Sequence, residues 1–224
     1  EVQIKALEAL KETRKKHKRG LVALATGLGK TYLAIFDTLK FKAKKILFIV
    51  HQDHILKQAK NSFEKMIPER IKEMGFYTGK EKFNSKKNSN QINIIFSTIQ
   101  TLTKDKNLKI FKKDEFDYII VDESHHTAAP SYVKIMNYFT PKFFLGLTAT
   151  PDRMDKKDIL EFYENNLVFQ MDQDEAIKQG YLSKLIYKGM IDNVDYTNIT
   201  YNGFKYDVND LNKNLIIEKR DKAI

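Results

Sequence analysis

Three short stretches of this chain combine residue types that could do phosphate chemistry. The first is ATGLGKT over residues 25–31, which directly follows an apolar run and opens an amphipathic stretch. Glycines in that setting let the backbone wrap closely and aim its N–H groups at phosphate oxygens, and the start of a helix adds positive potential. Thr26, Gly27, Leu28 and Gly29 would form the cradle, Lys30 would sit on the outer phosphates, and the Thr31 hydroxyl would hold Mg²⁺. The general pattern has a further glycine five residues before Gly29, where this chain has Leu24. The plainer alternative is a strand-to-helix turn with an incidental lysine.

The second stretch is VDESHH over residues 121–126, behind DYII. An apolar strand that ends in two acids puts adjacent carboxylates at one edge of a sheet. Asp122 can join the shell of a cation, and Glu123 can orient and deprotonate an attacking water. The same pair could instead open a helix, since acids favour a first turn. HExxH is absent, which excludes a metalloprotease of that pattern. The third stretch is GLTATP, residues 146–151, where Thr148 and Thr150 bracket an alanine after another apolar run. Alone it reads as ordinary turn chemistry. Its position gives it weight: Lys30, Asp122 and Thr148 each follow an expected strand, so all three converge on the edge where open α/β sheets bind ligands.

The elements that must hold these groups are legible as hydrophobic patterns. Apolar runs at 21–25, 46–50, 92–96, 118–121 and 143–147 are nearly continuous rather than alternating. Such runs suit strands covered on both faces, as in a parallel sheet. Between them, 31–39 carries Leu33, Phe36 and Leu39, and 54–63 carries Ile55, Leu56, Ala59 and Phe63. Strand alternating with helix predicts a doubly wound α/β sheet. The polar, Lys-rich segment 80–90 reads as a loop. After Pro151 the sequence predicts a helix over 155–163, a short helix over 174–179 closed by Gly180, and a strand over 184–190. An Asn- and Tyr-rich stretch with an Asn202-Gly203 turn signal follows, a connector or hairpin and not a second core.

Composition sets outer bounds. The 224 residues are 42% hydrophobic and 30% charged, enough for one large α/β domain with an appendage. No apolar run approaches the ~20 residues of a membrane helix. The absence of cysteine excludes a disulfide framework and thiolate zinc sites, and fits a reducing, cytoplasmic setting. The chain opens on Glu1 and stops at Ile224 inside an expected helix, so it reads as a fragment. Its net charge of +10 suits a polyanionic partner. Residues 1–45 concentrate that charge, with 12 Lys/Arg against 4 Asp/Glu, whereas the other lysines are scattered.

Taken in order, the motifs resemble the first RecA-like motor domain of a superfamily 2 helicase of the DEAD/DEAH type, with a DESH box. The phrasing is similar to bacterial helicases related to type III restriction-enzyme helicase subunits, over about residues 1–191. The resemblance implies a RecA-like, mainly parallel P-loop fold over residues 1–182, and a connector over 183–224 toward a second RecA-like domain. It implies ATP and Mg²⁺ as cofactors, with Lys30 and Glu123 catalytic and with His125, Thr148 and Thr150 coupling hydrolysis to strand grip. Gln3 in VQIKALEAL resembles the glutamine that reads adenine.

FIVHQ at 48–52 and FSTIQTL at 96–102 resemble the motifs that touch a nucleic-acid backbone, which implies contacts from His51, Ser97, Thr98 and Gln100. Many relatives carry Arg where Gln52 stands. KGMID at 188–192 with Asp195-Tyr196 resembles the bridge to the second motor domain. The implied partners are nucleic acid, DNA ahead of RNA, and that second domain, with no membrane. Such motors take an arginine finger from the second domain, and Arg153 is the one arginine near the TATP motif, so weak turnover is expected of this chain alone. Two other readings stay open: a nucleotide-gated nucleic-acid binding module, and a restriction-type duplex translocase that does not separate strands.

Overall fold

In the computed structural model the β-branched and aromatic runs become strands β1 (Arg19–Leu24), β2 (Ile46–Val50), β4 (Ile94–Thr98), β5 (Tyr118–Val121) and β6 (Phe143–Thr148). Strands β3 (Met74–Tyr77) and β7 (Leu167–Met171) complete a seven-stranded sheet of order β3-β4-β2-β5-β6-β1-β7. Every pairing in it is parallel. The helices are α1 (Val2–Thr13), α2 (Lys30–Phe41), α3 (Asp53–Met66), α4 (Ile99–Leu102), α5 (Asp105–Leu108), α6 (Pro130–Tyr138), α7 (Lys156–Phe162) and α8 (Gln173–Lys178). The described residues are 1–81, 92–124, 129–149, 156–184 and 186.

Alternation along each strand feeds two cores. Ile46, Phe48, Val50, Phe96, Ile120 and Leu145 pack with Leu7 and Leu10 of α1, Leu33 of α2, and Leu56 and Phe63 of α3. Leu47, Ile49, Ile95, Ile119, Val121 and Phe144 pack on the other face with Leu102, Tyr132, Ile135 and Ile159. Both faces are covered, so central strands need apolar side chains at every position, which is why their runs are continuous. The architecture is the doubly wound α/β sheet that the alternation of strand and helix predicts.

Because the strands run one way, their carboxyl ends share an edge. There Ala23 stands beside Thr148, Val121 beside Gly146, Ile49 beside Val121, and Val50 beside Thr98. The hydrophobic pattern does not announce β3, β7 or α6. The two strands are the outermost of the sheet, and β7 is only partly buried, so neither needs a long apolar run. The helices expected over 155–163 and 174–179 correspond to α7 and α8, and Gly180 follows α8 with φ +77°. The strand expected over 184–190 and the loop over 80–90 fall almost wholly outside the described residues, and the Asn202-Gly203 turn does so entirely. Among the described residues no helix is long and apolar enough to cross a membrane. The chain divides into two compact units, Glu1–Ser183 and Lys184–Ile224.

Candidate functional site

The loop between β1 and α2 turns through two left-handed glycines, Gly27 at φ +92° and Gly29 at φ +77°, a conformation that glycine holds without a Cβ penalty. Gly29 is the N-cap of α2 and no side chain caps the helix. The N–H groups of Lys30, Thr31 and Tyr32 therefore have no acceptor within the helix. Gln3 donates its Nε2 to the Leu28 carbonyl at 2.7 Å, tying α1 to the loop. A Cβ on Gly29 would come within 3.0 Å of that nitrogen. Thr26 is exposed and Thr31 half-buried, whereas the Leu28 side chain is buried, so Leu28 can offer the loop only its backbone. Leu24, in place of the missing glycine, buries its side chain in the core and accepts Lys30 Nζ on its carbonyl at 3.1 Å. Burial lowers the Lys30 pKa, opposed by the charges of Asp122 and Glu123.

Those acids stand at the end of β5. The Asp122 N–H donates to the Ile49 carbonyl at 2.9 Å, which extends the ladder one residue past the strand. Asp122 is 6% exposed and its Oδ1 accepts the Glu123 N–H at 2.9 Å. Burial raises its pKa to about 6; the Glu123 charge adds to that, while the Glu123 N–H and the Lys30 charge oppose it. Glu123 is half-buried in the left-handed region, at φ +54°. Ser124 Oγ donates to the Val121 carbonyl at 2.7 Å and pairs with Tyr163 Oη at 3.0 Å. Thr148 is buried at the end of β6, the strand that separates β1 from β5. The structure thus brings Lys30, Asp122, Glu123 and Thr148 to one edge. His125, Thr150 and Arg153 lie outside the described residues.

Farther along the edge, His51 and Gln100 are exposed, with Gln100 Nε2 3.2 Å from His51 Nδ1. Ser97 and Thr98, from which the resemblance also implies backbone contacts, close the neighbouring strand β4. They end an interior strand covered on both faces, so their side chains are buried and bonded internally. Ser97 Oγ donates to the Tyr77 carbonyl at 2.6 Å, and Thr98 Oγ1 pairs with Thr101 Oγ1 at 2.9 Å. Outside them lies a groove of about 450 Å³ lined by His51, Asp53, Lys80, Thr98, Gln100 and Lys104, among others. Lys104 is a residue the motifs do not single out. Lys82, Lys86 and Lys87 lie outside the described residues.

A buried charged group that the motifs do not single out lies toward the opposite end of β5. Asp37 of α2 is fully buried, and Arg14, just after α1, donates Nη1 to its two oxygens at 2.6 and 2.5 Å. Tyr118 Oη also bonds the Asp37 carboxylate. The Arg14 guanidinium lies 5.5 and 5.6 Å from the ring centroids of Phe41 and Phe143. The available signal was an acid inside the apolar run LAIFDTL, residues 33–39.

A phosphate loop entering a helix, an acid pair and a threonine strand end, all on one edge of a parallel sheet, define a P-loop domain of the RecA-like kind. The family model described as Type III restriction enzyme, res subunit, matches residues 1–153. The chain belongs to that family, as a first motor domain of a superfamily 2 helicase. A provisionally named ATP-dependent RNA helicase of Acanthamoeba polyphaga mimivirus is 28% identical over 174 residues, 73% of this chain and 31% of its own length. The Pyrococcus furiosus Hef helicase domain has the same fold, with a TM-score of 0.64 and 22% identity over 81% of this chain and 40% of that one. The Sulfolobus solfataricus SWI2/SNF2 ATPase core, solved in complex with double-stranded DNA, gives a TM-score of 0.57 and 21% identity over 78% of this chain and 44% of its own. The chain therefore spans less than half the length of each of these relatives.

Proposed function

We propose that this chain is the ATP-binding half of a motor that hydrolyses ATP and moves along nucleic acid when joined to a second RecA-like domain. The carrying observation is that the phosphate loop with Lys30 and the Asp122–Glu123 pair lie on one edge of the parallel sheet, where the charges of the two acids act on Lys30. The loop fits a triphosphate: the first-turn N–H groups of α2 lack intrahelical acceptors, and no side chain caps them. The acid side fits a divalent cation, since a buried carboxyl gains from one. Among the described residues no cluster of three His, Asp or Glu side chains could hold a metal alone. Thr31 and Asp122 would give two oxygens, with phosphate and water completing the octahedral shell that Mg²⁺ favours. When bound, Mg²⁺ neutralises charge on the phosphates.

The roles of this chain's own residues follow. Lys30 leaves the Leu24 carbonyl for the outer phosphates. Glu123 takes the proton of the attacking water. Gln3 keeps its Nε2 on Leu28, which leaves Oε1 for the adenine amino group. Thr148, with His125 and Thr150, passes the state of the site along the edge, and the second domain adds the cation that stabilises the charge developing on the transferred phosphoryl. His51, Gln100 and Lys104 hold a nucleic-acid backbone, and the buried Ser97 and Thr98 set the position of that edge. DNA is the partner we propose, supported by the neighbour that holds double-stranded DNA.

The test is Glu123→Gln in the full-length protein, with nucleic acid present. Nucleotide affinity should stay within about threefold of wild type while turnover falls by ~10²-fold or more, because only the base is removed. Parallel loss of binding and turnover would make Glu123 a structural carboxylate.

A further inference from the structure

Behind the acid pair lies a layer of hydroxyls that the chemistry above leaves unused. Tyr132, on α6, is 2% exposed, and its Oη is the one buried side-chain polar atom without a hydrogen-bond partner among the described residues. An unpaired buried hydroxyl is destabilising, and a fold that retains one calls for a reason. Its neighbours in the layer are committed elsewhere. Ser124 Oγ is held by the Val121 carbonyl and by Tyr163 Oη. The Tyr163 ring fills a notch at Gly146, where a Cβ would come within 2.4 Å of its Cζ, so the ring has no room to shift toward β6. Tyr163 thereby bridges the turn after β5, which carries Glu123 and Ser124, and β6, which carries Gly146 and Thr148.

The charges that act on Tyr132 come from Glu123 and Asp122, and they add to burial in raising the phenol pKa. Asp122 already accepts the Glu123 N–H and feels the Lys30 charge. Glu123 is the member of the pair whose backbone is left-handed. Its left-handed backbone, at φ +54°, is costly for a residue with a Cβ, and relaxing it moves the carboxylate.

We propose that Tyr132 is a positioning residue for Glu123: its hydroxyl takes the Glu123 carboxylate when that backbone relaxes in the loaded site. The bond fixes the carboxylate in the orientation from which it accepts a proton from water. Tyr132 itself touches neither nucleotide nor water. The inference rests on the role given to Glu123 above.

The experiment compares wild type, Tyr132→Phe, Glu123→Gln and the double variant in the full-length protein. It reads steady-state ATP turnover with saturating nucleic acid and thermal melting without nucleotide. Tyr132→Phe should melt at or above wild type, because it deletes an unpaired buried hydroxyl. Its kcat should fall about tenfold with KM for ATP unchanged, because the base loses its orientation while no contact to the nucleotide is removed. In the Glu123→Gln background the same change should cost nothing more. Wild-type kcat in Tyr132→Phe, beside an inactive Glu123→Gln, would overturn the proposal and leave the role of Glu123 intact. A lower melting temperature would overturn it too, since the hydroxyl would then serve the resting fold. Normal turnover in Glu123→Gln would instead sink the parent reading, and this one with it.

Discussion

At the scale of single residues, Asp122 has the clearest electrostatic consequence. Its pKa rises from an ordinary 3.8 to about 6 through burial. A carboxyl raised in the folded state binds its proton more tightly there than in the unfolded chain, so it favours folding at low pH. That contribution is lost as pH climbs from about 4 through about 6. Above that range the ionised, buried carboxylate costs up to about 3 kcal/mol. Asp122→Asn should flatten this part of the pH–stability curve and make the nucleotide-free protein about 1–3 kcal/mol more stable at pH 7. Denaturant unfolding at a series of pH values, with chelator present, measures it. An unchanged slope in the variant would mean that Asp122 is solvated or already neutralised. A destabilising acid beside the phosphate loop belongs to an account in which a cation arrives with the ligand.

Among elements, the two ends of α1 fix the loop's surroundings. Gln3 holds the Leu28 carbonyl at one end, and Arg14 holds the buried Asp37 of α2 at the other. Breaking a buried pair strands a charge, so Arg14→Ala should cost about 3–5 kcal/mol in unfolding experiments. Replacing all three polar partners, as Arg14→Met with Asp37→Leu and Tyr118→Phe, should recover most of that loss. A cost below about 1 kcal/mol for Arg14→Ala would mark the pair as replaceable by water. The elements also show what a sequence can and cannot disclose. β1, β2, β4, β5 and β6 were legible because burial on both faces forces continuous apolar runs. β3 and β7 were not, since edge strands face weaker demands. Lys30, Asp122 and Thr148 could be placed on one edge because each follows such a run. Ser97 and Thr98 follow one as well, but whether a strand-end hydroxyl faces solvent depends on the covering helix, which hydrophobic period does not encode. The unpaired hydroxyl of Tyr132 was invisible for a similar reason: it depends on how α6 packs against β5. Gly146 inside an apolar strand was a readable hint of close approach, and Tyr163 is what approaches.

For the whole molecule, a net charge of +10 and an outward groove carrying Lys80 and Lys104 point to backbone contacts with a polyanion. Affinity for single-stranded oligonucleotides should then fall with salt along a log–log slope of a few units. Lys104→Ala should lower that slope by about one unit, whereas Ser97→Ala should leave it unchanged, because that hydroxyl faces inward. Fluorescence anisotropy across a salt series reads both, and a salt-independent affinity would place the partner elsewhere. The edge at the carboxyl ends of β1 and β5 should take a nucleoside triphosphate. Titration calorimetry of ATP with Mg²⁺ into wild type and Lys30→Ala tests it most directly. Wild type should bind in the micromolar to millimolar range, and the variant at least ~10-fold more weakly while melting like wild type. Equal affinities for the two proteins would contradict it.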